Sequence, residues 1–209
     1  IFVTHAHADH IGALPLLHQA FPLVPIFASR GTSLLMEVML ADAMKIMARR
    51  AVEEMELPLY PEHLIGNMLM RVRPLPVGEP FTLSELRGIT VHASRAGHIA
   101  GAVSLGFVAA EGSLVISGDI SVTPQRTVLG AIAPPIKRPD LLVLESTYGA
   151  RLHPNRQAEE QRLAQAVADG LARGGPVLIP SFGLGRGQEI LLILRAAQEK
   201  GQIPLFPIY

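Results

Sequence analysis

Four potential metal ligands occur within six residues near the start of the sequence, in the segment His5-Ala-His-Ala-Asp-His10. The apolar residues 1–3 before it predict the end of a buried strand, and a helical pattern follows it. Imidazole and carboxylate groups suit zinc, iron or manganese. The first two histidines can reach one metal from one side of a turn, and the last two side chains suit a second metal. A polar loop with surface histidines is the alternative, which this spacing disfavours.

Two further candidate ligands each lie next to glycine. His98 stands between Gly97 and Gly101, which allow the backbone to bend sharply around it. Asp119 follows Gly118 at the end of a strand predicted over residues 113–117. Either residue alone would more often be structural than a ligand, so the prediction depends on their occurring together with the opening segment.

An HxHxDH turn, then a glycine-flanked histidine, then a strand-Gly-Asp resembles the ligand series of the metallo-β-lactamase superfamily. The resemblance implies that one metal is held by three histidines, His5, His7 and His98. It implies that the second metal is held by Asp9, His10 and Asp119, with Asp119 bridging both. The implied fold is an αββα sandwich, truncated at its N-terminus. The implied cofactor is two Zn²⁺ ions, and we expect residues 1–209 alone to bind one of them weakly.

Helices and strands are predicted in alternation along the rest of the sequence, which indicates an α/β fold. Helices are predicted at residues 9–20, 31–56, 61–70, 154–172 and 190–197. Strands are predicted at 24–28, 72–75, 89–93, 103–109, 113–117, 141–144 and 176–180, with 141–144 expected to be buried. Of the histidines outside the ligand series, we expect His18 at the surface, and His92 either in packing or in support of a metal ligand.

Two later stretches of sequence indicate one branch of this superfamily. They read Leu144-Glu-Ser-Thr-Tyr-Gly149 and Ile179-Pro-Ser-Phe-Gly-Leu-Gly-Arg-Gly-Gln-Glu-Ile-Leu191. Both resemble the β-CASP branch of the superfamily, the nucleic-acid-processing nucleases that include the RNase J and cleavage-factor endonuclease families. The resemblance implies a partial metallo-β-lactamase domain over residues 1–150. It implies the beginning of an α/β β-CASP domain over residues 151–209.

Three residues are assigned further roles. The resemblance implies that Asp9 orients the nucleophile and that Glu145, in the first β-CASP motif, is catalytic through a histidine of a later motif. Capping of its own loop through Thr147 is the alternative for Glu145. Arg186 precedes a predicted helix at a glycine-rich entry, where a helix N-terminus and a guanidinium both suit phosphate. A glycine-rich helix start without a ligand is equally common.

The amino-acid composition excludes several kinds of site and protein. The 209 residues include no cysteine, which excludes disulfides, thiolate zinc sites and the lactamase subtype with a Cys ligand. No uninterrupted apolar run is long enough to cross a membrane, and we expect a cytoplasmic protein. A formal net charge of +0 argues neither for nor against nucleic acid. The sequence starts inside a predicted strand and stops in another, at 204–209, so we expect a piece of a longer protein.

The function implied by the resemblance is that of a ribonuclease, a phosphodiesterase that cleaves RNA, endo- or 5′-exonucleolytically, through a hydroxide activated by two zinc ions. DNA stays open as a substrate, because recognition of the 2′-OH cannot be read from these residues. A homodimer is expected for the full-length protein. Two alternatives stay open: a small-molecule hydrolase of lactamase or thioesterase type, and a non-catalytic RNA-processing subunit. The β-CASP stretches disfavour the first, and the complete ligand series disfavours the second.

Overall fold

The computed structural model describes residues Ile1–Tyr209. The chain forms two compact units, one of Ile1–Pro124 with Val128–Glu145 and one of Gln125–Thr127 with Ser146–Tyr209. The domain assignment made from the sequence, with its boundary at residue 150, stays a prediction. None of the helices combines the length and the apolar character needed to cross a membrane.

The elements follow each other in mixed order, as an α/β fold requires. The strands are β1 (Phe2–Val3), β2 (Ile26–Ala28), β3 (Val72–Pro74), β4 (Phe81–Thr82), β5 (Thr90–Arg95), β6 (Val103–Ala109), β7 (Gly112–Ile116) and β8 (Leu141–Val143). The helices are α1 (Ala8–Ile11), α2 (Leu14–Ala20), α3 (Arg30–Glu53), α4 (His63–Leu69), α5 (Arg156–Ala172) and α6 (Arg186–Glu199). The predicted α/β fold is confirmed.

The first unit contains two sheets. In the three-stranded sheet the order is β1-β2-β3 and both pairings are parallel, so helices connect each strand to the next. In the five-stranded sheet the order is β4-β5-β6-β7-β8, and only β7 and β8 pair in parallel. The sheets share an apolar core, in which the ring of Phe2 lies 5.4 Å from that of Phe27 and 5.3 Å from that of Phe107. This core fixes the strand ends that carry the candidate ligands.

The predicted helix over residues 9–20 is two helices, and this corrects the expectation. α1 ends at Ile11, and Pro15 lies in the first turn of α2. Proline is tolerated there because a backbone N–H in the first turn has no partner within the helix. His18 is buried, with 7% of its surface exposed, so the expected surface position is wrong. Its helix packs against α4, a long-range contact that the local pattern does not contain.

Three strand predictions need correction. Residues 141–144 do form β8 over Leu141–Val143, but their side chains are 49–58% exposed rather than buried. The reason is position, because β8 is the edge strand of its sheet and pairs only with β7. Residues 176–180 and 204–209 form no strand. Each of these stretches contains two prolines, which cannot donate to a strand ladder.

The second unit is built on α5 and α6. Four apolar side chains of these helices, together with Ile203 from the segment after α6, form its core: Ala164, Val167, Leu194 and Ala197. Asn155 caps α5, since its side-chain oxygen accepts the N–H of Ala158 at 3.0 Å. The helix predicted at 190–197 is longer than expected and begins at Arg186.

Candidate metal centre

Two close contacts bring the histidine-rich turn to the later ligand segments. β1 ends at Val3, and the next residue, Thr4, uses its carbonyl oxygen to accept the N–H of Val103 at 2.9 Å. Gly118 approaches the same residue so closely that a Cβ on it would lie 3.0 Å from the Cβ of Thr4. Gly118 also has a φ of +57°, which an L side chain rarely adopts. The backbone conformation therefore favours glycine before Asp119, and a side chain there would also press against Thr4.

Four side chains converge next to this contact. The ligand atoms of His5, His7, His98 and Asp119 all lie within 4.8 Å of one another. The Nδ1 atom of His7 lies 3.1 Å from the Nε2 of His5 and 3.1 Å from the Nε2 of His98. The Oδ2 atom of Asp119 lies 3.7 Å from His5 Nε2 and 3.6 Å from His98 Nε2. These side chains come from a strand end, a glycine-flanked turn and a second strand end.

The spacing of these atoms fits a tetrahedral ion. Ligand atoms at about 2.0–2.1 Å from zinc are roughly 3.3–3.4 Å apart, close to the observed separations. Hydrogen bonding explains the cluster less well. A ring nitrogen carries either one hydrogen or one lone pair, so His7 Nδ1 cannot make good hydrogen bonds to both neighbours. Three histidines and one carboxylate form a donor set typical of zinc.

The charge state of His5 agrees with a ligand role. Its side chain is fully buried. Burial lowers the pKa of His5 to about 3, with smaller contributions from the nearby His10, His98 and His7. The imidazole is therefore neutral at neutral pH, and a neutral ring nitrogen is the form that binds a metal.

The two remaining candidate ligands lie on the open side of the cluster. His10 Nε2 is 3.5 Å from Asp9 Oδ2 and 3.6 Å from Asp119 Oδ1. The side chain of Asp9 is 78% exposed, and that of His10 is 30% exposed. The two oxygens of Asp119 thus face different groups, since Oδ2 faces His5 and His98 whereas Oδ1 faces His10. A carboxylate placed in this way could bridge two ions.

Glu145 supports the turn that carries Asp119. Its Oε1 atom accepts the N–H of Ile120 at 3.0 Å, and its own N–H donates to Ser117 Oγ at 3.0 Å. Ser104 Oγ in turn donates to the carbonyl oxygen of Ser117 at 2.7 Å. Residues on both sides of Asp119 are therefore held by side chains of neighbouring strand ends, and Glu145 is one of them.

Arg186 belongs to the second unit, where it is exposed and is the first residue of α6. The glycine-rich entry to this helix is ordered by Gln188. Its Oε1 atom accepts the N–H of Gly185 at 2.7 Å, and its Nε2 donates to the carbonyl oxygen of Gly183 at 2.9 Å. The entry thus has a defined conformation next to the exposed Arg186.

Sequence reasoning missed Glu189, the most deeply buried carboxylate of the second unit, with 1% exposure. Its oxygens accept from Arg126 N at 3.1 Å and from both N and Oγ1 of Thr127 at 2.6 Å. Arg156 donates to it at 2.6 Å. A signal was present, because Glu189 falls four residues before the buried Ile193 on the same helix face.

The sequence is similar to one protein family and to several characterised proteins. A sequence model described as the metallo-beta-lactamase superfamily matches residues 1–173. Ribonuclease TTHA0252 of Thermus thermophilus is 34% identical over 212 residues, covering 100% of this chain and 45% of that protein. Cleavage and polyadenylation specificity factor subunit 3-II of Arabidopsis thaliana is 34% identical over 210 residues, covering 100% and 33%. Probable RNase MJ4 of Methanocaldococcus jannaschii is 33% identical over 196 residues, covering 93% and 44%.

The chain spans less than half the length of each of these relatives. Two of their names are those of ribonucleases, and the third is that of a cleavage-factor subunit. These matches confirm the predicted resemblance to the RNA-processing nucleases.

Proposed function

Because the chain belongs to the metallo-β-lactamase superfamily, we propose that the full-length protein is a zinc-dependent phosphodiesterase that cleaves RNA. The observation that carries the proposal is the convergence of His5, His7, His98 and Asp119 within 4.8 Å. The ribonuclease names of the relatives support RNA as the substrate class.

Two zinc ions are proposed as the cofactor. The first would be held by the three histidines of the buried cluster, and the second by Asp9 and His10 on its open side. Asp119 would serve both, since its two oxygens face the two groups. When bound, two such ions lower the pKa of a water molecule and offset negative charge on a phosphate. The different exposure of the two positions supports weaker binding at the second.

Side chains of this protein would orient the attacking water, hold a metal ligand in place and contact the substrate. Asp9, exposed beside His10, would accept a hydrogen bond from the attacking water and orient it toward phosphorus. Glu145 would keep Asp119 in place through the N–H of Ile120. Arg186, at the start of a helix of the second unit, would contact a backbone phosphate.

A labelled RNA tests the proposal in the full-length protein. Asp9→Asn should lower cleavage at least about a hundredfold, the size expected for loss of a general base. Asp42→Asn is the matched control, because Asp42 is exposed on α3 and should leave the rate unchanged. DNA of the same sequence and a chromogenic lactam serve as competing substrates. Turnover of the lactam with RNA left intact would reject the nuclease and favour a small-molecule hydrolase.

Product analysis of the same reaction distinguishes endonucleolytic from 5′-exonucleolytic cleavage, because only the latter releases mononucleotides from the first time points. The homodimer and the cytoplasmic location stay predictions.

A further inference from the structure

Two buried hydroxyls converge on one carbonyl oxygen near the metal centre. Ser29 Oγ donates to the carbonyl oxygen of Gly101 at 2.6 Å, and Thr32 Oγ1 donates to the same oxygen at 2.9 Å. Ser29 is 4% exposed and Thr32 is 0% exposed. Ser29 is also the N-cap of α3, since its Oγ accepts the N–H of Thr32 at 3.1 Å. An N-cap that also binds a segment 72 residues away in sequence does more than begin a helix.

The backbones of the same two segments touch directly. A Cβ on Gly31 would lie 2.8 Å from the Cα of Gly101, closer than real Cβ contacts come. A Cβ on Gly101 would lie 2.2 Å from the nitrogen of Thr32, and Gly101 has a φ of +81°. No side chain fits between the first turn of α3 and this residue. The N-terminus of α3 therefore fixes the position of Gly101 both by hydrogen bonds and by direct contact.

Gly101 ends the turn that presents His98. The turn is closed by a hydrogen bond from Ala96 N to Ala102 O at 2.9 Å. On its other flank, Gly97 lies so close to residue 121 that a Cβ would be 2.3 Å from the carbonyl oxygen of Ser121. The backbone is thus held before and after His98, and α3 supplies the hold on the later side.

We infer that Ser29 and Thr32 are positioning residues of the metal centre. They fix the turn around His98 so that its Nε2 stays 3.1 Å from His7 Nδ1, and they act through Gly101 without touching a ligand. The inference rests on the proposed function, since it requires that His98 holds a metal. A ligand fixed in advance loses less freedom on binding, so these hydroxyls raise metal affinity.

Substitutions at Thr32 test this role in the full-length protein. Thr32→Val keeps the shape and removes the hydroxyl, whereas Thr32→Ser keeps the hydroxyl. Ser33→Ala is the matched control, because it removes a hydroxyl of the same helix turn that takes no part in this network. Two quantities are measured: the zinc dissociation constant by chelator competition and the visible absorption spectrum of the cobalt-loaded protein, which reports ligand geometry.

Thr32→Val should weaken zinc binding about tenfold and change the cobalt spectrum, whereas Thr32→Ser and Ser33→Ala should match the unaltered protein. Gly31→Ala provides an independent test if Thr32→Val does not fold. It keeps every hydroxyl and favours the helix, but its methyl group displaces Gly101, so it should change the same two readings.

Lower thermal stability with an unchanged zinc affinity and cobalt spectrum in Thr32→Val and Gly31→Ala would overturn the positioning role. Failure of the unaltered protein to bind either metal would overturn the metal centre itself, and this inference with it.

Discussion

Replacing the buried carboxylate of Glu189 should destabilise the second unit severely. Glu189 is 1% exposed and accepts four hydrogen bonds, three of them from the short segment Arg126–Thr127 and one from Arg156. Alanine would leave these donors without an acceptor and the guanidinium of Arg156 without its buried partner. Loss of one partner of a buried charge pair costs about 3–5 kcal/mol. This is a large part of the roughly 5–15 kcal/mol by which a domain is stable.

Glu199→Ala is the matched control on the same helix. Glu199 pairs with Arg195 at 2.9 Å, but both side chains are largely exposed. An exposed pair of this kind contributes about 0–1 kcal/mol. The comparison therefore sets a buried and an exposed carboxylate of one helix against each other.

Hydrogen exchange measured by mass spectrometry reads the effect locally, on the amides of α5 and α6. In Glu189→Ala the free energy of opening should fall by about 3–5 kcal/mol, while Glu199→Ala should change it by less than about 1 kcal/mol. Equal protection in the two variants would refute the reasoning, because it would mean that the buried hydrogen bonds contribute no more than a solvated ion pair.

Three further predictions concern the ionisation of Glu189, a pair of glycines and the carboxylate of Glu145. Burial alone would raise the pKa of Glu189, but hydrogen bonds from Thr127 and Arg126 and the charge of Arg156 outweigh it and lower the pKa below its ordinary value of 4.5. This stabilisation is present above pH 4.5 and is lost as the pH falls through the lowered value, so acid should destabilise α5 and α6 in the unaltered protein. Glu189→Gln should lose most of this pH dependence in circular dichroism. Gly118→Ala should destabilise the first unit by about 1–3 kcal/mol because Gly118 has a positive φ. Gly66→Ala, on α4 with open space around it, should instead stabilise the unit by about 0.4–1 kcal/mol. Equal shifts of the urea midpoint in the two variants would contradict this. Glu145→Ala removes the acceptor for Ile120 N and should weaken zinc binding about tenfold. Glu145→Gln keeps an acceptor oxygen and should bind zinc within about twofold of the unaltered affinity. Tighter zinc binding by Glu145→Ala than by Glu145→Gln would contradict the supporting role of Glu145.

Local patterns predicted much of the fold because several elements are determined by their own residues. β6 spans Val103–Ala109, the residues predicted for it, and its neighbour β7 begins one residue before the predicted strand. The glycines around His98 predicted a sharp turn, and Gly97 and Gly101 both have positive φ in the structure. In these cases hydrophobic alternation and glycine conformation act over a few residues, which a sequence displays directly.

Long-range packing could not be predicted in this way. His18 is buried although its helix carries no motif, and the apolar side chains of β8 are exposed although their pattern is that of a buried strand. Glu189 and Thr32 are polar residues whose partners, Thr127 and Gly101, lie far away in sequence. Their roles depend on which segments meet, and that is a property of the folded chain.

Zinc content of the purified full-length protein tests the metal centre most directly, by elemental analysis of the unaltered protein and of Asp119→Ala. Because the two oxygens of Asp119 face His5 and His98 on one side and His10 on the other, the substitution should weaken both positions. The expected result is two zinc ions per chain in the unaltered protein and fewer than one in Asp119→Ala. A full zinc content in Asp119→Ala, or none in the unaltered protein, would contradict a metal centre built on this carboxylate.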